Sequence, residues 1–225
     1  MILYVLEVLL FAVWYDYACI RGNDRKKSMK EALQPVNILA IAMIATGMCF
    51  FVNFQLPIVS TVLPEKVVMD FENTMDSIGY GVKLMPTLIT LFFAPLAEEF
   101  MFRGIMFFYL LRIFEGRLGK RKIFWLSNFI QAIIFGIYHM NLIQGTYAFV
   151  VGLVLGYLMF HFGSIVAPIL AHMLHNFLST FVWQVVVASM PDSNGAYTIG
   201  AGLSLCVVVL GTMLCMLNSD KIGKE

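Results

Sequence analysis

The sequence predicts an all-α membrane protein, a polytopic bundle of about seven transmembrane helices with a polar cavity inside the membrane. Hydrophobic residues make up 60% of the 225 residues and charged residues only 13%, which leaves too little polar surface for a water-soluble particle of this size. No linker, repeat or low-complexity segment divides the chain. Residues 1–225 are therefore expected to form a single integral-membrane domain.

The individual spans follow from charge-poor runs, because a membrane-spanning helix needs about 20 mostly apolar residues. The first run is expected to be a retained helix rather than a signal peptide, since no charged segment precedes it and no clear cleavage site follows it. Its Glu7 and Asp16 are expected to face other helices or the membrane interfaces. The predicted spans are residues 3–20, 36–63, 82–111, 123–141, 147–162, 165–188 and 199–217.

Basic residues are concentrated in loops that alternate along this map. Most of the 15 Lys and Arg residues lie in segments 21–30, 112–122 and 221–224, whereas the loop at residues 64–80 is mainly acidic. The positive-inside rule makes the basic loops cytoplasmic, which puts the N-terminus outside and the C-terminus in the cytoplasm of a multi-pass cell-membrane protein. The basic loops are expected to contact lipid headgroups, so the lipid bilayer is a predicted partner and no nucleic acid is implied.

The third span contains three ionisable groups in the stretch PLAEEFMFRG. Pro95 predicts a kink or a restart of the helix, and a restart would place Glu98 and Glu99 in a first turn, where free N–H groups stabilise an anion. Glu99 and Arg103 are four residues apart and are expected to form an ion pair. Glu98 points about 100° away from Glu99 and is left for another partner.

Charged groups at this depth call for an explanation, because an ionised side chain costs about 2.5–3.5 kcal/mol at the bilayer centre. The leading hypothesis is that these ionisable groups have a functional role. The alternative is a buried ionic cluster of the two acids and the arginine that only fixes helix packing.

Polar side chains recur in two later spans. In FGIYHMN, His139 lies in the outer half of the fourth span, and in AHMLHNF, His172 and Asn176 share one face of the sixth span, with His175 close to that face. A lone intramembrane histidine is more often a hydrogen-bonded packing residue. Three spans that each present acid, imidazole or amide groups are harder to explain by packing alone.

This set of groups suits the hydrolysis of an amide bond. A carboxylate and an imidazole can hold a water molecule and remove its proton, while a second imidazole and an amide can donate hydrogen bonds to the developing oxyanion. Gly152 and Gly156 would let the fifth helix approach its neighbours closely. That spacing is equally well explained by ordinary helix packing.

These three segments resemble the motifs of the CPBP family of intramembrane proteases, the CAAX proteases and bacteriocin-processing enzymes also called the Abi family. Order and spacing match over residues 95–177, which form the CPBP-like catalytic core, and members of the family are similar to the Ras-converting CAAX prenyl protease. The matching residues are Glu98, Glu99 and Arg103 of EExxxR, Phe135 and His139 of FxxxH, and His172 and Asn176 of HxxxN.

The resemblance implies a role for each motif. The first Glu of EExxxR and the FxxxH histidine would activate water, the HxxxN pair would stabilise the oxyanion, and the second Glu and the arginine would orient these groups. His161 and His175 match no catalytic position and are expected to be packing or interfacial residues. The implied catalytic residues are Glu98, Glu99, His139, His172 and Asn176, with Arg103 in support.

No cofactor is expected, and zinc is the alternative. Members of the family were long described as metalloproteases, and two His with two Glu could ligate zinc. The metal-free mechanism is favoured because the Asn176 amide is a poor zinc ligand but a good oxyanion donor, and because no HExxH motif is present. The sequence also contains no GxSG serine motif with a matching histidine and no GxGD motif on an apolar helix.

Two functions of different class follow from the resemblance. The first is an intramembrane endopeptidase whose partner is a peptide or membrane-associated protein substrate. The second is a noncatalytic bacteriocin self-immunity or sensor-regulating protein that uses the same polar cluster for binding. The short loops favour a bacterial member of the family, which would not act on prenylated proteins.

The sequence indicates neither an oligomeric state nor the side on which the cavity opens, since the topology places Glu98 and His139 in the outer half of the membrane and His172 nearer the inner face.

Overall fold

All regular structure in the described part of the chain is helical. The computed structural model describes residues 2–20, 26–79 and 81–222, and these contain no β-strand. Within the predicted topology segments, residues 21–25, 80, 223 and 224 lie outside this part. The helices are α1 (Ile2–Tyr15), α2 (Lys26–Ala32), α3 (Pro35–Ser60), α4 (Glu65–Ile78), α5 (Leu84–Phe114), α6 (Lys120–Tyr138), α7 (Leu142–Phe162), α8 (Val166–Ala188) and α9 (Asn194–Ile222).

Three of these helices contain π-helical turns, in which the backbone hydrogen bonds span five residues instead of four. A π-helical turn follows α1 directly and continues the helical backbone to residue 20. The π-helical turns of α5 and α8 lie inside these helices and do not interrupt them. The π-helical segments are Asp16–Ile20 after α1, Ile89–Phe93 and Glu99–Met106 in α5, and Leu178–Val182 in α8.

The predicted all-α polytopic helical fold is confirmed, with about six spans. By length and composition, six described helices could cross a membrane: Ile2–Cys19, Pro35–Ser60, Leu84–Phe114, Leu142–Phe162, Val166–Ala188 and Asn194–Asn218. The remaining predicted span, residues 123–141, corresponds to α6. This helix has 19 residues, and its basic first turn together with Asn128 and Gln131 makes it less apolar than the other six.

The chain divides into two compact units. The first consists of residues 1–32 and 88–169, and the second of residues 33–87 and 170–225. The single integral-membrane domain expected from the sequence stays a prediction.

In the first unit, α1 packs along α5 in the same direction, as the alternation of spans requires for the first and third. The ring of Tyr15 lies 5.7 Å from that of Phe100, and the Cys19 thiol donates a hydrogen bond to the Gly104 carbonyl at 3.7 Å. A side chain at position 104 would meet Tyr15 at 2.8 Å, so glycine allows this close approach. The buried core around the contact consists of Tyr15, Cys19, Ile105, Phe107, Phe108, Phe124 and Met159.

The pairing of α6 with α7 depends on the predicted small-residue pair. Gly152 lies against Ala132, and Gly156 lies against the side chains of Asn128 and Gln131. Gln131 Nε2 donates to Asn128 Oδ1 at 2.8 Å and to the Gly152 carbonyl at 2.9 Å. The two glycines therefore make room for a buried amide network that ties the helices together.

Gly156→Ala is expected to destabilise the protein by about 1–3 kcal/mol, because the new methyl group would overlap Asn128 Oδ1 and force the network to shift. Gly202→Ala in α9 is the matched control, since a Cβ there meets no described atom within 4 Å. Thermal unfolding of both variants in one detergent checks this. Equal melting temperatures for Gly156→Ala and Gly202→Ala would contradict it.

In the second unit, α3 packs along α9 through backbone contacts at glycine. A Cβ at Gly47 would lie 2.7 Å from the Ser204 carbonyl, and one at Gly211 would lie 3.0 Å from the Ala40 carbonyl. Asn53 of α3 links this pair to α8, because its Nδ2 donates to Ser179 Oγ at 2.9 Å. Within the second unit, a side-chain hydrogen bond therefore joins α3 to α8.

Candidate active site

The EExxxR segment lies in the middle of α5, and of the two alternatives predicted at Pro95, a kink or a restart, the restart does not occur. The backbone is helical through Phe93 and Ala94, and the Glu99 N–H donates to the Pro95 carbonyl. Proline lacks an N–H and collides with the carbonyl one turn earlier, and the π-helical turn Ile89–Phe93 accommodates it without a break. The prediction that Glu98 and Glu99 lie in a first turn with free N–H groups is therefore wrong.

The predicted Glu99–Arg103 ion pair is confirmed. Arg103 Nη1 lies 3.0 Å from Glu99 Oε1, and both side chains are completely buried. The guanidinium carbon of Arg103 lies 4.1 Å from the centre of the Phe135 ring, a cation–π contact. Phe135 belongs to FxxxH, so this contact fixes the EExxxR segment of α5 against the FxxxH segment of α6.

His139 caps the C-terminal end of α6, and Phe135 orients its ring. Nδ1 of His139 lies 2.8 Å from the Phe135 carbonyl oxygen, and the two rings meet edge to face at 4.8 Å. A carbonyl oxygen can only accept a hydrogen bond, so Nδ1 carries the proton. In the neutral ring, Nε2 is then the basic nitrogen.

The two neighbouring acids have different environments. Glu99 is fully buried and paired with Arg103, whereas Glu98 is half-buried. The Glu98 carboxylate interacts electrostatically with Tyr4, Tyr138 and Arg103. Glu98 is therefore the more accessible of the two carboxylates, and two phenols are among the groups with which it interacts.

Tyr138 interacts with residues of both the EExxxR segment and the FxxxH segment. Besides its interaction with Glu98, its ring lies 5.9 Å from that of His139 and 5.4 Å from that of Phe102. Sequence reasoning missed Tyr138 and Tyr4. The only available signal was the position of Tyr138 directly before the FxxxH histidine, and nothing in the sequence marked Tyr4.

The HxxxN pair lies on α8 in the second unit. His172 is 6% exposed and Asn176 is half-buried, and the α-helical backbone of Val166–Phe177 puts them on one face, as the spacing predicts. Ser179, seven residues after His172, continues that face towards Asn53. The assignment of His172 and Asn176 to oxyanion stabilisation stays a prediction.

Of the two remaining histidines, His175 is buried and His161 is half-buried. His175 is 6% exposed, and its Nδ1 has no hydrogen-bond partner among the described residues. His161 stacks on Tyr157 with ring centres 5.5 Å apart.

The described residues contain no group of three or more His, Cys, Asp or Glu side chains placed to hold a metal ion. The four cysteines are free thiols, of which Cys206 is exposed and the others are buried. No step of the proposed chemistry below involves a metal, and the choice between the metal-free mechanism and zinc stays a prediction.

Comparison with known proteins identifies the segment that carries the site. Residues 81–178 match the family model described as Type II CAAX prenyl endopeptidase Rce1-like. No curated protein and no solved structure matches the chain. The matched range contains all three motifs and excludes α1 with its Tyr4. The match confirms the resemblance that the motifs indicate: residues 81–178, which contain all three motifs, are similar to the Rce1-like type II CAAX prenyl endopeptidases.

Proposed function

We propose that the protein is an intramembrane endopeptidase that hydrolyses a peptide bond of a peptide or membrane-associated protein with a water molecule activated by Glu98 and His139. One observation carries the proposal within the first unit. Arg103, paired with Glu99, packs on Phe135, and Phe135 in turn holds His139, so the helix of the carboxylate and the helix of the imidazole are fixed to each other.

The difference between the two acids supports the choice of Glu98 as the base. Glu99 forms a fully buried ion pair with Arg103, whereas Glu98 is partly accessible. In the proposed reaction Glu98, assisted by His139 Nε2, takes a proton from water as its oxygen attacks the carbonyl carbon. The C–N bond then breaks, and the proton passes to the leaving amine. The resemblance to the family assigns stabilisation of the oxyanion to His172 and Asn176.

The proposed location is the cell membrane, with the N-terminus outside and the C-terminus in the cytoplasm. The apolar helices and the family support a multi-pass membrane protein. The basic segment 112–122 supports this orientation.

A comparison of membrane-associated and secreted peptides tests the proposal. Cells that produce Glu98→Gln should accumulate an uncleaved precursor that is processed in cells with the wild type or with Glu72→Gln. Glu72 is an exposed acid on α4 and controls for the loss of one negative charge. All three proteins must be present in the membrane at equal levels. Identical peptides from wild type and Glu98→Gln would exclude the peptidase and favour the noncatalytic immunity or sensor-regulating function.

A further inference from the structure

A groove outside the candidate active site opens at the beginning of α6 in the first unit. Its volume is about 680 Å³, and α6 and α7 form its walls. None of the residues that line it belongs to the three motifs. The lining residues are Arg121, Lys122, Trp125, Leu126, Phe129 and Leu153.

The polar end of the groove is cationic. Arg121 and Lys122 are both exposed, and neither forms an ion pair with any described residue. Uncompensated guanidinium and ammonium groups side by side match a phosphate or another compact anion. They are expected to attract such a group from the surroundings of the protein.

The rest of the groove is apolar and follows one face of α6. Trp125 and Phe129 are 53% and 50% exposed, and Leu126 and Leu153 complete the surface. Phe129 lies seven residues after Lys122, about 10 Å along the helix, which matches several methylene groups of an acyl chain. Tryptophan near a basic helix end is also typical of the membrane–water interface.

We propose that this groove binds a phospholipid with an anionic headgroup, whose phosphate contacts Arg121 and Lys122 and whose acyl chain lies along Trp125, Phe129 and Leu153. The two ends of the groove match the two ends of such a molecule. A free phosphate would use only the cationic end, and a lipid of zero net charge would make weaker use of that end. The proposal does not depend on the peptidase activity.

Lipid binding to the purified full-length protein tests this proposal, with phosphatidylglycerol and phosphatidylcholine titrated separately and detected by native mass spectrometry. Wild type should bind phosphatidylglycerol more tightly than phosphatidylcholine. The double variant Arg121→Gln/Lys122→Gln should bind phosphatidylglycerol about 30-fold more weakly, which corresponds to about 2 kcal/mol for two basic side chains at a membrane surface.

A matched control removes the same charge from the same loop. Arg117 and Lys120 are exposed cations that do not line the groove, so Arg117→Gln/Lys120→Gln should keep most of the affinity. An equal loss of phosphatidylglycerol affinity in both double variants would show that the lipid is attracted to the basic loop as a whole, and it would overturn the proposal that the groove is the binding site. Equal affinity of the wild type for the two lipids would overturn the anionic specificity.

A third variant examines the apolar half. Leu153→Trp fills the groove without changing any charge and should weaken phosphatidylglycerol binding while leaving the thermal stability of the lipid-free protein close to that of the wild type. Glycerol phosphate should fail to compete with the lipid at equal concentration. Full competition by glycerol phosphate, or unchanged lipid affinity in Leu153→Trp, would show that the anion alone is bound and would contradict the lipid proposal.

Discussion

His139→Ala is expected to lower the rate of peptide-bond hydrolysis by about 10²–10⁴-fold, the usual contribution of a positioned acid–base group. The ring is held at the end of α6 by the Phe135 carbonyl and by edge-to-face contact with Phe135. Alanine removes the basic Nε2 nitrogen but leaves Phe135 on Arg103. Cleavage of a peptide substrate by the purified enzyme, measured at equal protein concentration, gives the rate.

Two controls separate chemistry from misfolding. Added imidazole should restore part of the activity of His139→Ala, because a free imidazole can enter the space left by the side chain and act as the base. His161→Ala removes a histidine that stacks on Tyr157 and should keep the wild-type rate. A His139→Ala enzyme as active as the wild type would remove the histidine from the proposed mechanism.

Arg103→Met is expected to lower the free energy of unfolding by about 3–5 kcal/mol, because it leaves the Glu99 carboxylate buried without its counter-charge. Both side chains of this pair are completely buried at 3.0 Å, so water cannot replace the lost partner. Methionine retains most of the side-chain length, which limits the contribution of a cavity. Unfolding in detergent, followed by loss of helical circular dichroism, measures the effect.

The double variant Glu99→Gln/Arg103→Met isolates the charge effect. Removing both charges should recover most of the stability that Arg103→Met loses, since a buried ion pair contributes little beyond the solvation of its own charges. A double variant no more stable than Arg103→Met would show that packing of the guanidinium on Phe135, rather than charge balance, accounts for the loss.

The fold was predictable because the chain is mostly hydrophobic and because the length of its apolar runs matches the thickness of the bilayer. The helical positions of α3, α7 and α8 follow from their apolar runs, and α6 differs only in polarity, through its first turn and its buried Asn128 and Gln131. The π-helical turns were not predictable, because a change in the backbone hydrogen-bond pattern does not alter the hydropathy of the sequence. Pro95 was interpreted as a kink or a restart of the helix for this reason.

The site was predictable in part. The spacing of Glu99 and Arg103 indicated their ion pair, since four residues on a helix bring two side chains onto one face. The contact of Arg103 with Phe135 and the position of Tyr4 beside Glu98 depend on how different helices pack, and a single sequence does not encode such contacts in any local pattern.

The π-helical turn Glu99–Met106 allows α5 to lose one residue in this region without rotating its two ends relative to each other. A π turn accommodates a residue more than an α turn, and one residue corresponds to about 100° of rotation around a helix. Deleting a single residue there would allow the turn to become α-helical while the parts of α5 before and after it kept their rotational phase. The same deletion in a regular α-helix would rotate one part of the helix by about 100° relative to the other.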